Sequence, residues 1–116
     1  MTTNNREHII LCGASAYDMK YYFNEDFGDL PIAVREELRI LCVLFTEETG
    51  GVFLIGFDEE GSVLLKTEHE ESDIYYDTIS SGLMIQEIRG KKKDLFTSLE
   101  LYYRVFMEEG YHDTGN

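Results

Sequence analysis

A chain of 116 residues with ten basic and 23 acidic side chains, a formal net charge of −13, has room for one hydrophobic core and presents a strongly negative surface. That charge excludes the phosphate backbone of nucleic acid and the anionic face of a membrane as natural partners, and it favours basic or polar protein surfaces. With 43% hydrophobic residues and a single proline, the sequence also carries enough apolar surface to offset chain entropy, which excludes global disorder.

The opening MTTNNREH has no charged region followed by an apolar stretch, and the longest apolar run, Ile40 to Phe45, is far too short to span a bilayer. Two cysteines, Cys12 and Cys42, do not make a disulfide framework in a chain of this size. The expectation is a cytoplasmic protein forming one domain over residues 1–116, with frayed tails at about 1–6 and 110–116.

In chain order, Ile9 to Leu11 and Tyr21 to Phe23 are β-prone stretches, and the small residues Gly13, Ala14 and Ser15 between them suit a turn, which predicts an N-terminal hairpin. Acidic and turn-forming residues follow. Asp29-Leu30-Pro31 then opens a helix, because proline fits the first turn and an acidic residue suits the dipole. Val34, Leu38, Leu41, Cys42 and Phe45 recur at the spacing of one helical face, and Gly50-Gly51 stops the run. Ile40 to Phe45 is apolar all round, so this part of the helix demands cover on more than one side.

Val52 to Phe57 and Ser62 to Glu68 read as strands joined by the turn residues Asp58 to Gly61. In the return strand Val63, Leu65 and Thr67 alternate with Leu64, Lys66 and Glu68, which predicts an antiparallel sheet with one covered face. A second helix starts near Asp77 and passes Met84 and Ile88 before Gly90 weakens it. In the last helix Leu95, Phe96, Leu99, Tyr102, Tyr103 and Phe106 form a wide apolar stripe. The order hairpin-helix-hairpin-helix-helix predicts an α+β fold, a four-stranded antiparallel sheet with helices on one face.

Three constellations bear on chemistry. Cys12 could be a nucleophile with His8 as its base, but on a strand positions four apart lie about 13 Å apart, beyond hydrogen-bond reach, so a small buried hydrophobe is the preferred reading of Cys12. The run Glu68 to Asp73, with His69, has the residue types of a divalent-cation site, yet it lacks any ligand spacing and reads more simply as a charged edge. The lysines Lys91, Lys92 and Lys93 read as a solvated face rather than a phosphate site. The sequence contains no glycine-rich phosphate loop, and it predicts no catalytic residue, metal ligand or cofactor.

On the last helix Leu101 and Val105 project opposite the main stripe, and Ile40 and Leu44 make a similar demand on the first helix; these four residues are a candidate interface, as in a homodimer. The same two helices packing on each other within one chain would meet that demand equally well.

The segments LCGASAY with KYYFN, LPIAVREELRILCVLFTEETGG, FDEEG and SLELYYRVF, taken in this order, resemble a bacterial family of short acidic cytoplasmic proteins, a domain of unknown function. The resemblance covers nearly residues 10 to 107 and implies a bacterial cytoplasmic setting, with no activity, cofactor or site residue to transfer. The residues themselves favour a small acidic protein-binding or regulatory module with a protein partner, suited to a basic one. The alternative is an enzyme or small-ligand binder with a pocket near Cys12, Tyr17 and Tyr21.

Overall fold

The computed structural model of the protein describes residues 8–107; the expected frayed tails lie outside them. Four strands, β1 (His8–Ser15), β2 (Lys20–Phe23), β3 (Val52–Asp58) and β4 (Val63–Glu68), form one antiparallel sheet in the order β2-β1-β3-β4. Three helices, α1 (Ile32–Thr49), α2 (Thr78–Lys91) and α3 (Lys93–Val105), complete the α+β architecture expected from the sequence.

The alternation in β3 sets the two layers. Phe53, Ile55 and Phe57 are buried while Val52, Leu54 and Asp58 are partly open, as the period of two requires of a sheet covered on one side. Their ladder partners follow suit. Ala14, Cys12 and Ile9 of β1, and Thr67, Leu65 and Val63 of β4, lie opposite Phe53, Ile55 and Phe57.

Both sequence-distant helices reach this same face. Phe45 of α1 stacks on Phe53 at 4.1 Å between ring centroids, and Tyr103 of α3 stacks on Phe57 at 4.1 Å. Each such pair contributes about 0.5–1.5 kcal/mol beyond area burial, so the two stacks fix where the helices lie along β3. Phe27, in the short 3-10 turn Glu25–Phe27, closes one end of the core against Phe57, Tyr102, Tyr103 and Phe106.

The turn of the first hairpin lies later than the sequence reading placed it. Gly13, Ala14 and Ser15 are strand residues, paired with Tyr22, Tyr21 and Lys20 on one side and with Leu54, Phe53 and Val52 on the other. Gly13 is confined there, since a Cβ would lie 2.5 Å from the Leu54 side chain and 2.9 Å from the Phe53 carbonyl oxygen, and the reversal occurs over residues 16–19, where Met19 takes a positive φ. Between Ile10 and Cys12 the β1–β3 register shifts, a bulge that leaves Leu11 as the extra residue. Asn24 secures this point: its backbone N–H donates to the Leu11 carbonyl and its side-chain amide to the Ile10 carbonyl.

Both edges of the sheet are blunted against further pairing. β2 has four residues, and β4 carries Lys66 and Glu68, which form an ion pair at 3.5 Å on its open face. From α3, the Glu100 carboxylate accepts the Val63 N–H at 2.8 Å and ties that helix to the start of β4.

Candidate functional site

An open apolar cleft lies between α1 and α2. The stripe that buries α1 on the sheet uses Leu38, Cys42 and Phe45, which leaves Ile40 and Leu44 on the opposite side, 49% and 57% exposed. α2 lies beside that side, capped at its start and tied to α1 just past its end. Asp77 caps it by accepting the N–H groups of Ile79 and Ser80, and Lys92, just past its end, pairs with Glu37 of α1 at 3.0 Å.

Between them is a cleft of about 710 Å³. Its apolar walls are Ile40, Leu41, Leu44 and Phe45 of α1 with Met84 and Ile88 of α2. Charge is confined to the rim and arranged in pairs: Glu36 with Arg39 at 2.9 Å, Glu37 with Lys92, and Glu87 with Lys91 at 2.7 Å. The Arg39 guanidinium, through its hydrogen bond and its charge, holds the Glu36 carboxyl below the usual carboxylate range. An apolar trough with a balanced ionic rim has the ingredients of a docking surface, whereas acid–base or nucleophilic chemistry needs converging polar groups on the floor.

The two cysteines meet in the core. Cys12 of β1 and Cys42 of α1 are both free and fully buried, with their sulfur atoms 3.8 Å apart. Contact with Cys12, together with burial, pushes the Cys42 thiol far above its ordinary range, so it remains a neutral thiol at physiological pH. Tyr21 sits beside the pair with its hydroxyl buried and without a hydrogen-bond partner, and burial followed by the nearby Cys12 raises its pKa as well. These groups form a buried cluster in which Cys42 and Tyr21 are held protonated rather than an activated nucleophile.

Tyr17 has a different role in the architecture. From the turn after β1 its hydroxyl donates to Asp73 at 2.7 Å and accepts the Glu70 N–H at 3.0 Å, pinning the acidic segment that follows β4. Partial desolvation and the Asp73 carboxylate raise its pKa. In the same segment His69 stacks on Tyr76 at 4.4 Å. Among the described residues no group of three or more His, Cys, Asp or Glu side chains is placed to hold a metal ion, and no helix is long and apolar enough to cross a membrane.

A family model matches residues 8–111. The chain belongs to DUF6145, a family of unknown function. No curated protein and no solved structure matches it significantly.

In this DUF6145 chain the candidate interface residues separate into two sets. Ile40 and Leu44 border the α1–α2 cleft, while Leu101 and Val105, 57% and 47% exposed, stand on α3 and form no part of its walls. The candidate pocket residues separate too. Tyr21 lines a smaller cavity of about 390 Å³ with Ala14, Met19, Val43 and Thr46, and neither Cys12 nor Tyr17 belongs to its walls. Of the three lysines, Lys91 and Lys92 are engaged with Glu87 and Glu37 at the cleft rim. Sequence reasoning missed the α2 half of the cleft, Met84 with Ile88. Their four-residue spacing was a usable signal, but it reads as ordinary core until α1 is known to leave Ile40 and Leu44 open.

Proposed function

We propose that this DUF6145 protein is a small protein-binding or regulatory module of the bacterial cytoplasm, acting by association through its helical layer. The observation that carries this reading is the α1–α2 cleft, where Ile40 and Leu44 remain open to solvent above apolar walls. Exposed contiguous apolar surface rimmed by charge is costly in a monomer and is typical of surfaces that another protein covers. The surrounding charge of −13 favours a protein partner with a basic surface and disfavours polyanions. The test is affinity capture from native lysate at low and moderate salt, comparing the natural chain with an Ile40→Asp, Leu44→Asp variant. Retention of a protein by the natural chain and its loss from the variant is the expected result. Equal retention by both, or a retained small molecule with no protein, would overturn the reading and turn attention to the cavity beside Tyr21.

A further inference from the structure

We propose that Cys12 and Cys42 are a modification site, a buried dithiol that a small neutral hydroperoxide converts to an intramolecular disulfide linking β1 to α1.

Geometry supplies the first argument. The chain has two cysteines, 30 positions apart in sequence and on different elements, and the fold brings their sulfur atoms to 3.8 Å. A disulfide needs about 2.05 Å, so each sulfur has to travel about 0.9 Å, a distance within reach of a side-chain rotation of about 30°. Cys12 stands opposite Ile55 in the central strand β1, on the face that the helices cover, and Cys42 is on the stripe that buries α1 against the sheet.

A route to the pair supplies the second. The ring of Tyr21 borders the cavity of about 390 Å³, while its hydroxyl, buried and without a hydrogen-bond partner, lies beside the two sulfurs. Two other walls of that cavity, Ala14 and Thr46, are two residues from Cys12 along β1 and one helical turn from Cys42 along α1. The cavity therefore ends one side chain short of the thiols. A buried hydroxyl left unpaired is unfavourable, and a peroxide oxygen passing Tyr21 would accept its hydrogen bond. A hydroperoxide is small and uncharged enough to cross this layer as side chains move, which a bulky or charged oxidant is not.

The chemistry balances in two steps. One sulfur attacks the nearer peroxide oxygen, the oxygen–oxygen bond breaks, and a sulfenic acid forms while the thiol proton leaves with the other oxygen as water or an alcohol. The second sulfur then attacks the sulfenic sulfur, the sulfur–oxygen bond breaks, and the second thiol proton departs in water. Two thiols lose two electrons and the hydroperoxide gains them. Burial keeps Cys42 protonated, so the site answers to sustained peroxide rather than acting as a fast scavenger.

Treatment of the reduced full chain with millimolar hydrogen peroxide tests this. After quenching and alkylation in guanidinium, the intact mass should fall by about 2 Da with neither cysteine alkylated, and dithiothreitol should reverse the change. Cys12→Ser and Cys42→Ser should each abolish it. Tyr21→Phe, which keeps the ring and removes the hydroxyl, should slow it about tenfold. The oxidised chain should show a urea midpoint higher by roughly 1–2 M, because the new bond closes a loop of about 30 residues. Thiols that remain fully alkylated after hours in peroxide, addition of two or three oxygens to either sulfur, or a disulfide between chains would overturn the proposal. So would an oxidation rate that climbs with urea in step with global unfolding, since the bond would then form in the unfolded chain, or a lowered midpoint, since the folded geometry would then not accommodate it. An unchanged rate in Tyr21→Phe would overturn the part given to the hydroxyl.

Discussion

Gly56 and Gly82 should respond to the same substitution with opposite signs. Gly56 sits in β3 opposite Ile10, beside the bulge at Leu11. A Cβ built there would lie 2.3 Å from the Ile9 carbonyl oxygen and 3.1 Å from the Ile10 Cα. Carbon–oxygen contacts in sheets close to about 3.3–3.6 Å, so Gly56→Ala must push β1 and β3 apart by about 1 Å, and both obstacles are backbone atoms that no rotamer change can move aside. Overpacking of this kind costs about 2–3 kcal/mol. Gly82, in the interior of α2, has nothing within 4 Å of the same ideal Cβ position. Gly82→Ala removes backbone freedom from the unfolded chain without a clash and should add about 0.5–1 kcal/mol. In urea unfolding at an m-value of about 1.5 kcal/mol/M, the midpoint should fall by roughly 1.3–2 M for Gly56→Ala and rise by roughly 0.3–0.7 M for Gly82→Ala. A Gly56→Ala midpoint indistinguishable from that of the natural chain would refute the close approach at the bulge, and a lowered Gly82→Ala midpoint would refute the open setting of α2.

The two thiols and one helix cap give further tests. At about pH 8 an aromatic disulfide reagent should label neither Cys12 nor Cys42 in the folded chain and both in concentrated guanidinium, because both sulfurs are buried; one thiol reacting at the rate of a free cysteine would contradict their packing. Asp77 is held below its ordinary value of 3.8 by hydrogen bonds from Ser80 and Ile79. Since the folded state lowers this pKa, the stabilisation is fully present above 3.8 and is lost as pH falls through the depressed value. The stability gap between the natural chain and Asp77→Ala should thus be constant down to about pH 5 and narrow below the ordinary carboxylate range; a gap that persists unchanged to about pH 2 would show that the cap does not act through its charge.

The elements of the fold were legible where one periodicity ruled alone. α1 declares itself because Val34, Leu38, Leu41, Cys42 and Phe45 face the sheet while Glu36, Arg39 and Glu47 do not, and β4 because Val63, Leu65 and Thr67 alternate with open positions. The first turn was displaced because the small residues Gly13, Ala14 and Ser15 have two physical uses. Propensity reads them as a turn, whereas they lie on the central strand β1, where Gly13 leaves room for the Leu54 side chain of β3. α2 is the least readable element. Met84, Ile85 and Ile88 face the protein while Ile79 and Leu83 face outward, so no single apolar stripe marks it, and its start is legible through Asp77 instead. It also runs through Gly90, because the Lys92 N–H still reaches the Ile88 carbonyl.

The candidate site was legible as a demand and not as a place. Apolar residues on every side of Ile40 to Phe45 require cover, but which element provides it depends on the pairing of Lys92 with Glu37, two residues 55 positions apart in sequence. That pairing also organises the charge. Arg35, Arg39, Arg89, Lys91, Lys92 and Lys93, six of the ten basic residues, lie on the first half of α1 or near the junction of α2 and α3. The rest of the chain is correspondingly more acidic, above all the turn at Asp58 to Glu60 and the segment from Glu68 to Asp73 that Tyr17 pins.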